Sequence, residues 1–235
     1  MQCVKAILFD TFGTVVDWRG SLIDELTTFG AAHRIAADWT GLVDAWRRAY
    51  VPSMDRVRRG ELPWTTLDAL HRASLEQLVA EFGIAGLTAA QLHQLNHGWH
   101  RLRPWPDAVP GLTRLKALHV IAPLSNGNVA LLVNMAKHAG LPWDMVFGAD
   151  LFGHYKPDPE TYLGAARLLG LEPAEVMMVA AHNADLHAAR DCGLKTAFFP
   201  RPTEYGPHQL WDFTADSDWT VVATDIEDLA ERMGA

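Results

Sequence analysis

Cysteine is almost missing from this chain: Cys3 and Cys192 are the only two in 235 residues. Two cysteines cannot build a disulfide framework, and their spacing fits no metal site, so a reducing compartment is expected. No apolar run approaches the roughly 20 residues of a membrane span. No Lys/Arg-rich run occurs, and the formal net charge of −8 argues against a nucleic-acid partner. Any anion the chain binds must therefore be drawn by local positive groups. The first residues enter an apolar strand pattern directly, without a signal-peptide layout. The expectation is a cytoplasmic protein with no nucleic-acid and no membrane partner. Internal repeats and low-complexity segments are also lacking.

What the sequence does contain is a globular composition, 49% hydrophobic and 20% charged. Short apolar runs stop abruptly at polar residues: AILFD (6–10), VIAPLSN (120–126), MVFGAD (145–150), VMMVAAHN (176–183) and TAFFP (196–200). Such runs read as buried parallel strands. Helical patterns lie between them, over 128–140, 158–170, 184–193 and 224–234. The first ends at a glycine cap, Gly140; the second has Pro159 near its start and Gly170 past its end; the last carries Thr224 and Glu227 at capping-box spacing. Strands alternating with helices predict a doubly wound α/β sheet.

Residues 18–104 differ. They hold no comparable strand run, and Leu67, Leu70, Leu75, Leu78, Val79 and Phe82 share one helical face. Thr88 and Gln91 stand at capping-box spacing, and a helix over 41–57 is expected until Pro52 disturbs it. This is too long for an ordinary crossover. The chain is therefore divided into an α/β core, 1–17 and 105–235, and a helical cap, 18–104, inserted after the first strand.

Ligands of open α/β sheets bind beyond the carboxyl ends of the strands. Those ends carry Asp10, then Ser125 and Asn126, then His182 and Asp185, while Lys156 precedes a helix in HYKPDPETY. The segments FDTFGT, LSNG, YKPDPETY and AAHNAD resemble, in order and interval, the four motifs of the haloacid dehalogenase superfamily. The resemblance covers essentially the whole chain and implies that superfamily's Rossmann-like fold.

It also implies that Asp10 is a nucleophile, made useful by enclosure and an aligning cation. Superfamily phosphatases usually carry a second Asp two residues later to protonate the leaving group. This chain has Phe12 there, which cannot transfer a proton, whereas a departing halide needs none. Phosphatases also place paired acids in motif four for magnesium; here only Asp185 is in register, a thin oxygen set for that ion. No metal and no cofactor are therefore expected.

The chain is most similar to the L-2-haloacid dehalogenase (type II) branch. AWRRAY resembles the stretch that bears that branch's halide-binding arginine, which would be Arg47, with Arg48 as the rival. Tyr162 matches a site tyrosine. Motif four departs from the best-known members, with Ala180 and His182 in place of Ser and Asn.

The reaction implied is attack of Asp10 on carbon 2 of a short 2-haloalkanoic acid, followed by hydrolysis of the aspartyl ester to a 2-hydroxy acid. Lys156 would align Asp10. Asp185 would orient Lys156 or water, with His182 beside it or merely packed in the core. Thr14, Ser125 and Asn126 would serve the carboxylates. Arg47 and the Asn126 side chain would face the halide. Phe12, Trp46, Tyr50, Trp64 and Trp105 are candidates to enclose the carbon. A homodimer is carried from the resemblance. The alternatives are a magnesium-dependent phosphatase acting on a small phosphate ester, and a non-catalytic binding protein.

Overall fold

The structure is a computed structural model that describes residues 4–235; Cys3 lies outside them, and Cys192 is a free thiol. After β1 (Ala6–Phe9) and β2 (Val16–Asp17), the chain enters α1 (Trp18–His33), α2 (Trp39–Arg58), α3 (Leu67–Glu81) and α4 (Ala89–Asn96). It returns through β3 (Arg103–Pro104) to α5 (Ala108–Lys116), β4 (Val120–Ser125), α6 (Val129–Ala139) and β5 (Phe147–Gly148). The remainder is α7 (Pro159–Leu168), β6 (Val176–Ala180), α8 (Asn183–Asp191), β7 (Lys195–Phe198), β8 (Val221–Val222) and α9 (Ile226–Arg232).

Six strands form a parallel sheet in the order β5-β4-β1-β6-β7-β8. Both faces are covered. Ile7 and Phe9 of β1 join one apolar cluster that reaches into the α1–α4 helices, while Ala6 and Leu8 join another with Tyr162, Ala165 and Leu186. This is why β1 reads as continuous apolar sequence rather than as an alternation. From β1 the chain builds outward to β4 and β5, then jumps back to β6 on the other side. The carboxyl ends of β1, β4 and β6 therefore border the switch in strand order, the place where such sheets bind ligands.

The helical segment α1–α4 leaves and re-enters through the antiparallel ribbon β2–β3, with Val16 opposite Pro104 and Asp17 opposite Arg103. Asp17 also caps α1, its Oδ1 accepting the Gly20 amide at 2.8 Å. The Thr88–Gln91 capping box is present at α4.

Three local expectations change. α2 runs through Pro52 to Arg58, because its buried face of Leu42, Val43, Trp46, Tyr50 and Met54 packs against the neighbouring helices and outweighs one lost amide donor. Ser53 Oγ donates to the Tyr50 carbonyl at 2.8 Å nearby. α9 is capped by Asp225, which accepts the Asp228 amide, rather than by a Thr224–Glu227 box. The run 145–150 keeps only two strand residues before it turns into a short 3-10 helix. Among the described residues no helix is long and apolar enough to cross a membrane. Of the nine tryptophans only Trp64 and Trp211 are exposed, and most of the others are core.

One buried ion pair ties the core to the loop after β1. Arg201 donates to both Asp107 oxygens at 2.8 and 2.7 Å, and its Nε donates to the Thr14 carbonyl at 3.0 Å. Asp107 also accepts the Ile226 amide at 2.9 Å. Removing one partner strands the other charge in a dry setting. Asp107→Ala is expected to lose roughly 3–5 kcal/mol of stability. Urea unfolding followed by tryptophan fluorescence checks this, and an unchanged midpoint would refute it.

Candidate active site

The loop after β1 is wound tightly. Asp10 donates its amide to the Val179 carbonyl at 2.9 Å, so the residue sits at the sheet edge between β1 and β6. Val15 closes a turn onto the Thr11 carbonyl at 3.0 Å, and Gly13 adopts φ +88°. This turn brings Thr14 back over Asp10, and Thr14 Oγ1 donates to Asp10 Oδ2 at 2.7 Å. The same hydroxyl accepts the Ala181 amide at 3.0 Å, which fixes its proton toward Asp10.

Lys156 is held at every polar atom. Its amide donates to Asn126 Oδ1 at 2.6 Å, its carbonyl accepts from Arg58 of α2, and Nζ donates to Asp10 Oδ1 at 2.9 Å and to Asp185 Oδ2. Tyr162 Oη donates to the other Asp185 oxygen at 2.6 Å. Burial alone would push the Asp10 pKa up; the Lys156 ammonium, with His182 and Thr14, outweighs it and holds the group well below the carboxylate range. Burial likewise disfavours the Lys156 cation, but Asp10 and Asp185 raise its pKa. The pair is ionised.

His182 is not a core histidine. It lies between two carboxylates, with Nδ1 3.1 Å from Asp10 Oδ2 and Nε2 2.8 Å from Glu204 Oε2. Burial pushes its pKa down, yet Glu204 and Asp10 raise it well above the ordinary histidine value. Glu204 itself is buried, and its Oε1 accepts from Trp18 Nε1 at 2.9 Å.

A cavity of about 240 Å³ opens over these groups, lined by Asp10, Phe12, Arg47, Tyr50, Val51, Asn126, Lys156, Pro157, Tyr162, His182, Ala184 and Asp185. Arg47 enters from the cap side, its guanidinium 4.4 Å above the Tyr50 ring and 5.2 Å from Trp18. Its Nη2 lies 3.9 Å from Glu204, while its buried Nη1 makes no hydrogen bond. Arg48 is exposed and lies outside this cavity. Ser125 does not line it either; its hydroxyl accepts the Gly127 amide at 3.2 Å and shapes the turn that presents Asn126.

Of the five aromatic candidates, Phe12 and Tyr50 reach the cavity. Trp46 donates to the His71 carbonyl, Trp105 donates to the Gly13 carbonyl, and Trp64 packs on Tyr155 at the surface.

The Lys156 ammonium stands between Asp10 and Asp185, and the second Asp10 oxygen already accepts from Thr14 and faces His182. Among the described residues no cluster of three His, Cys, Asp or Glu side chains is placed to hold a metal ion.

Of the site residues expected from sequence, the structure brings together Asp10, Phe12, Thr14, Arg47, Asn126, Lys156, Tyr162, His182 and Asp185, and leaves Ser125 outside the cavity. Sequence reasoning missed Glu204, Trp18 and Tyr205, whose hydroxyl takes an N–H from Arg47 at 3.5 Å. Glu204 and Tyr205 lie in the irregular stretch after β7, beyond the last motif, where no periodicity marks them.

A family model described as haloacid dehalogenase-like hydrolase matches residues 4–193. A solved L-2-haloacid dehalogenase is 55% identical to this chain with a TM-score of 0.96, over 98% of this chain and 99% of that one. A solved defluorinating L-2-haloacid dehalogenase is 50% identical, also at TM-score 0.96, over 99% and 96%. The (S)-2-haloacid dehalogenase of Xanthobacter autotrophicus is 29% identical over 203 residues, 83% of this chain and 74% of that protein.

Gly13 is where the loop and Glu204 meet. A Cβ there would lie 2.1 Å from Glu204 Oε1, on a backbone that disfavours side chains. Gly13→Ala is expected to lose at least about 1–3 kcal/mol from the backbone conformation, plus the cost of displacing Glu204. In Gly13→Ala/Glu204→Ala the loss should be smaller than the sum of the single losses. Additive losses in chemical denaturation would show that the contact is not the cause.

Proposed function

The chain belongs to the haloacid dehalogenase-like hydrolases, and from that premise we propose that it hydrolyses short (S)-2-haloalkanoic acids to 2-hydroxy acids of inverted configuration, without a metal. The observation that carries this is the pairing of an ionised, Lys156-bound Asp10 with Phe12 in the same cavity wall. The carboxylate is a nucleophile at working pH, and nothing at position 12 can protonate a leaving group. Halide departs without a proton; a phosphate ester's alcohol does not.

In this reading residues 18–104 are a cap whose α2 supplies Arg47 and Tyr50 to the roof of the cavity. Asp10 Oδ1 attacks carbon 2 as the carbon–halogen bond breaks, and the halide leaves with its electron pair. Arg47 receives the halide through the N–H that has no protein partner, a role suited to a permanently charged and weakly hydrated cation. The Asn126 amide and the Tyr50 edge complete that pocket. Lys156 aligns Asp10 and binds the substrate carboxylate. Water then attacks the Asp10 carbonyl carbon, and Asp185, the second carboxylate on the cavity wall, takes its proton.

The test is halide release from fluoro-, chloro- and bromoacetate and from both 2-chloropropionate enantiomers, with and without chelator. Release is expected to survive chelation, to vanish in Asp10→Asn, and to fall about 10²–10³-fold in Arg47→Ala, while Arg48→Ala stays near wild type. With enzyme in excess over substrate, in water carrying heavy oxygen, the label should enter the Asp10 carboxylate and not the hydroxy acid. Magnesium-dependent turnover of phosphate esters with no halide from any haloacid would reverse the reading.

A further inference from the structure

We propose that His182 acts as a protonated hydrogen-bond donor to the Asp10 carbonyl oxygen during ester hydrolysis, and that Glu204 is the positioning residue that keeps it in that form. This rests on the dehalogenase reading and adds the identity of the group that stabilises its second step.

The geometry begins with donor counting. Both ring nitrogens of His182 face carboxylate oxygens, at 3.1 Å and 2.8 Å. Ionised carboxylates only accept, and only the imidazolium has two N–H groups to give. The charged groups around the ring agree. Asp10 faces it from the loop after β1 and Glu204 from the loop after β7. Arg47 of α2 approaches Glu204 from behind at 3.9 Å, and Lys156 and Asp185 pair on the far side of Asp10. Each partner carries its own cation on the oxygen that the ring does not face, Lys156 on Asp10 Oδ1 and Arg47 near Glu204 Oε1, and the two charges nearest the ring are negative.

The two oxygens of Asp10 are unequal. Oδ1 has Lys156 alone, whereas Oδ2 has the Thr14 hydroxyl at 2.7 Å and the His182 N–H. The less encumbered Oδ1 is the nucleophile, so after alkylation it carries carbon 2 and Oδ2 becomes the ester carbonyl oxygen. When water bonds to Cγ, the carbonyl electron pair moves onto Oδ2, where two donors are already in place. That is an oxyanion hole, prepared before the charge appears. The water proton goes to Asp185. As the intermediate collapses, the Cγ–Oδ1 bond breaks and the departing alkoxide takes that proton. The second water hydrogen is shed when Asp10 ionises again. His182 gives up no proton at any point.

Glu204 explains how the imidazolium outlasts the first step. Alkylation removes the charge of Asp10, and with it one of the two anions that hold the proton on His182. Glu204 is not consumed. It is buried, anchored by Trp18 Nε1, and seated against Gly13, where any side chain would displace it.

The proposal separates cleanly from a neutral His182 that removes the water proton, because the pH dependences have opposite sign. A donor loses activity as pH rises through its pKa; a base gains it. Rapid-quench measurements on chloroacetate resolve the halide burst from ester hydrolysis, with the ester followed by mass spectrometry. In wild type, ester hydrolysis is expected to fall at high pH. Glu204→Gln should keep a burst of one halide per site and move that fall to lower pH, and Glu204→Asp should restore it in part. His182→Gln should keep the burst, abolish the pH-dependent fall, and slow hydrolysis about 10²–10³-fold so that the ester accumulates.

Hydrolysis that rises with pH through a group lost in His182→Gln would overturn the proposal, as would an unmoved limb in Glu204→Gln. If the variants give no burst, the imidazole nitrogen NMR signals of the wild-type protein decide: two protonated nitrogens above neutral pH are expected, and one would overturn it. No burst from wild type with any haloacid would remove the dehalogenase reading and this proposal together.

Discussion

The Lys156 ammonium, placed between Asp10 and Asp185, is the interaction on which the rest of the site depends. Three charges this poorly solvated are costly to assemble, and their mutual attraction compensates only when the remaining hydrogen-bonding capacity is filled. Here it is filled from several elements. Thr14 and His182 serve Asp10, Tyr162 serves Asp185, and Asn126 and Arg58 hold the backbone of Lys156 itself. The result is a carboxylate that is buried and yet stays ionised, which is the condition for using it as a nucleophile.

That arrangement is a consequence of strand order. β1, β4 and β6 end side by side, so the residues just beyond them converge without long loops. The cap closes the remaining side, and it is fastened near the chemistry rather than at its rim. Arg58 of α2 grips the Lys156 carbonyl, and Asn128 at the start of α6 exchanges hydrogen bonds with Asp68 of α3 at 2.9 and 3.2 Å. Positioning of Lys156 and seating of the cap are thus coupled. An opening of the cap would loosen the same backbone that aims the ammonium at Asp10.

The fold and most of the site were legible because they obey local rules. Strand ends announce themselves where an apolar run meets Asp10, Ser125 or His182, and three of the four motifs lie at those ends, the other being the loop that carries Lys156 into α7. Arg47 was separable from Arg48 only by the structure, since neighbours on a helix differ by direction and not by composition. Trp46, Trp64 and Trp105 failed as cavity residues for the same reason: aromatic character marks burial, not orientation. Glu204 was illegible. It lies in a stretch without secondary-structure period, and its role exists only because Gly13, Trp18 and His182, far apart in sequence, leave a slot for one carboxylate.

In the proposed dehalogenation, with His182 protonated, the charges of the site also form a sequence in time. At rest Asp10, Asp185 and Glu204 stand against Lys156, His182 and Arg47, and the set is balanced. Substrate brings one further negative charge, which in that reading Lys156 meets. Alkylation then transfers the charge of Asp10 to the halide, so the anion that must be held moves from the floor of the cavity toward Arg47, its proposed holder. Once the halide departs, the ester is neutral and the surrounding cations outnumber their fixed partners by one, offset by the carboxylate of the bound acid. In that state any negative charge developing on Asp10 Oδ2 meets donors left over from the resting ion pairs. The groups that suppress protonation of the nucleophile in the first step are, without moving, the groups that favour attack upon it in the second.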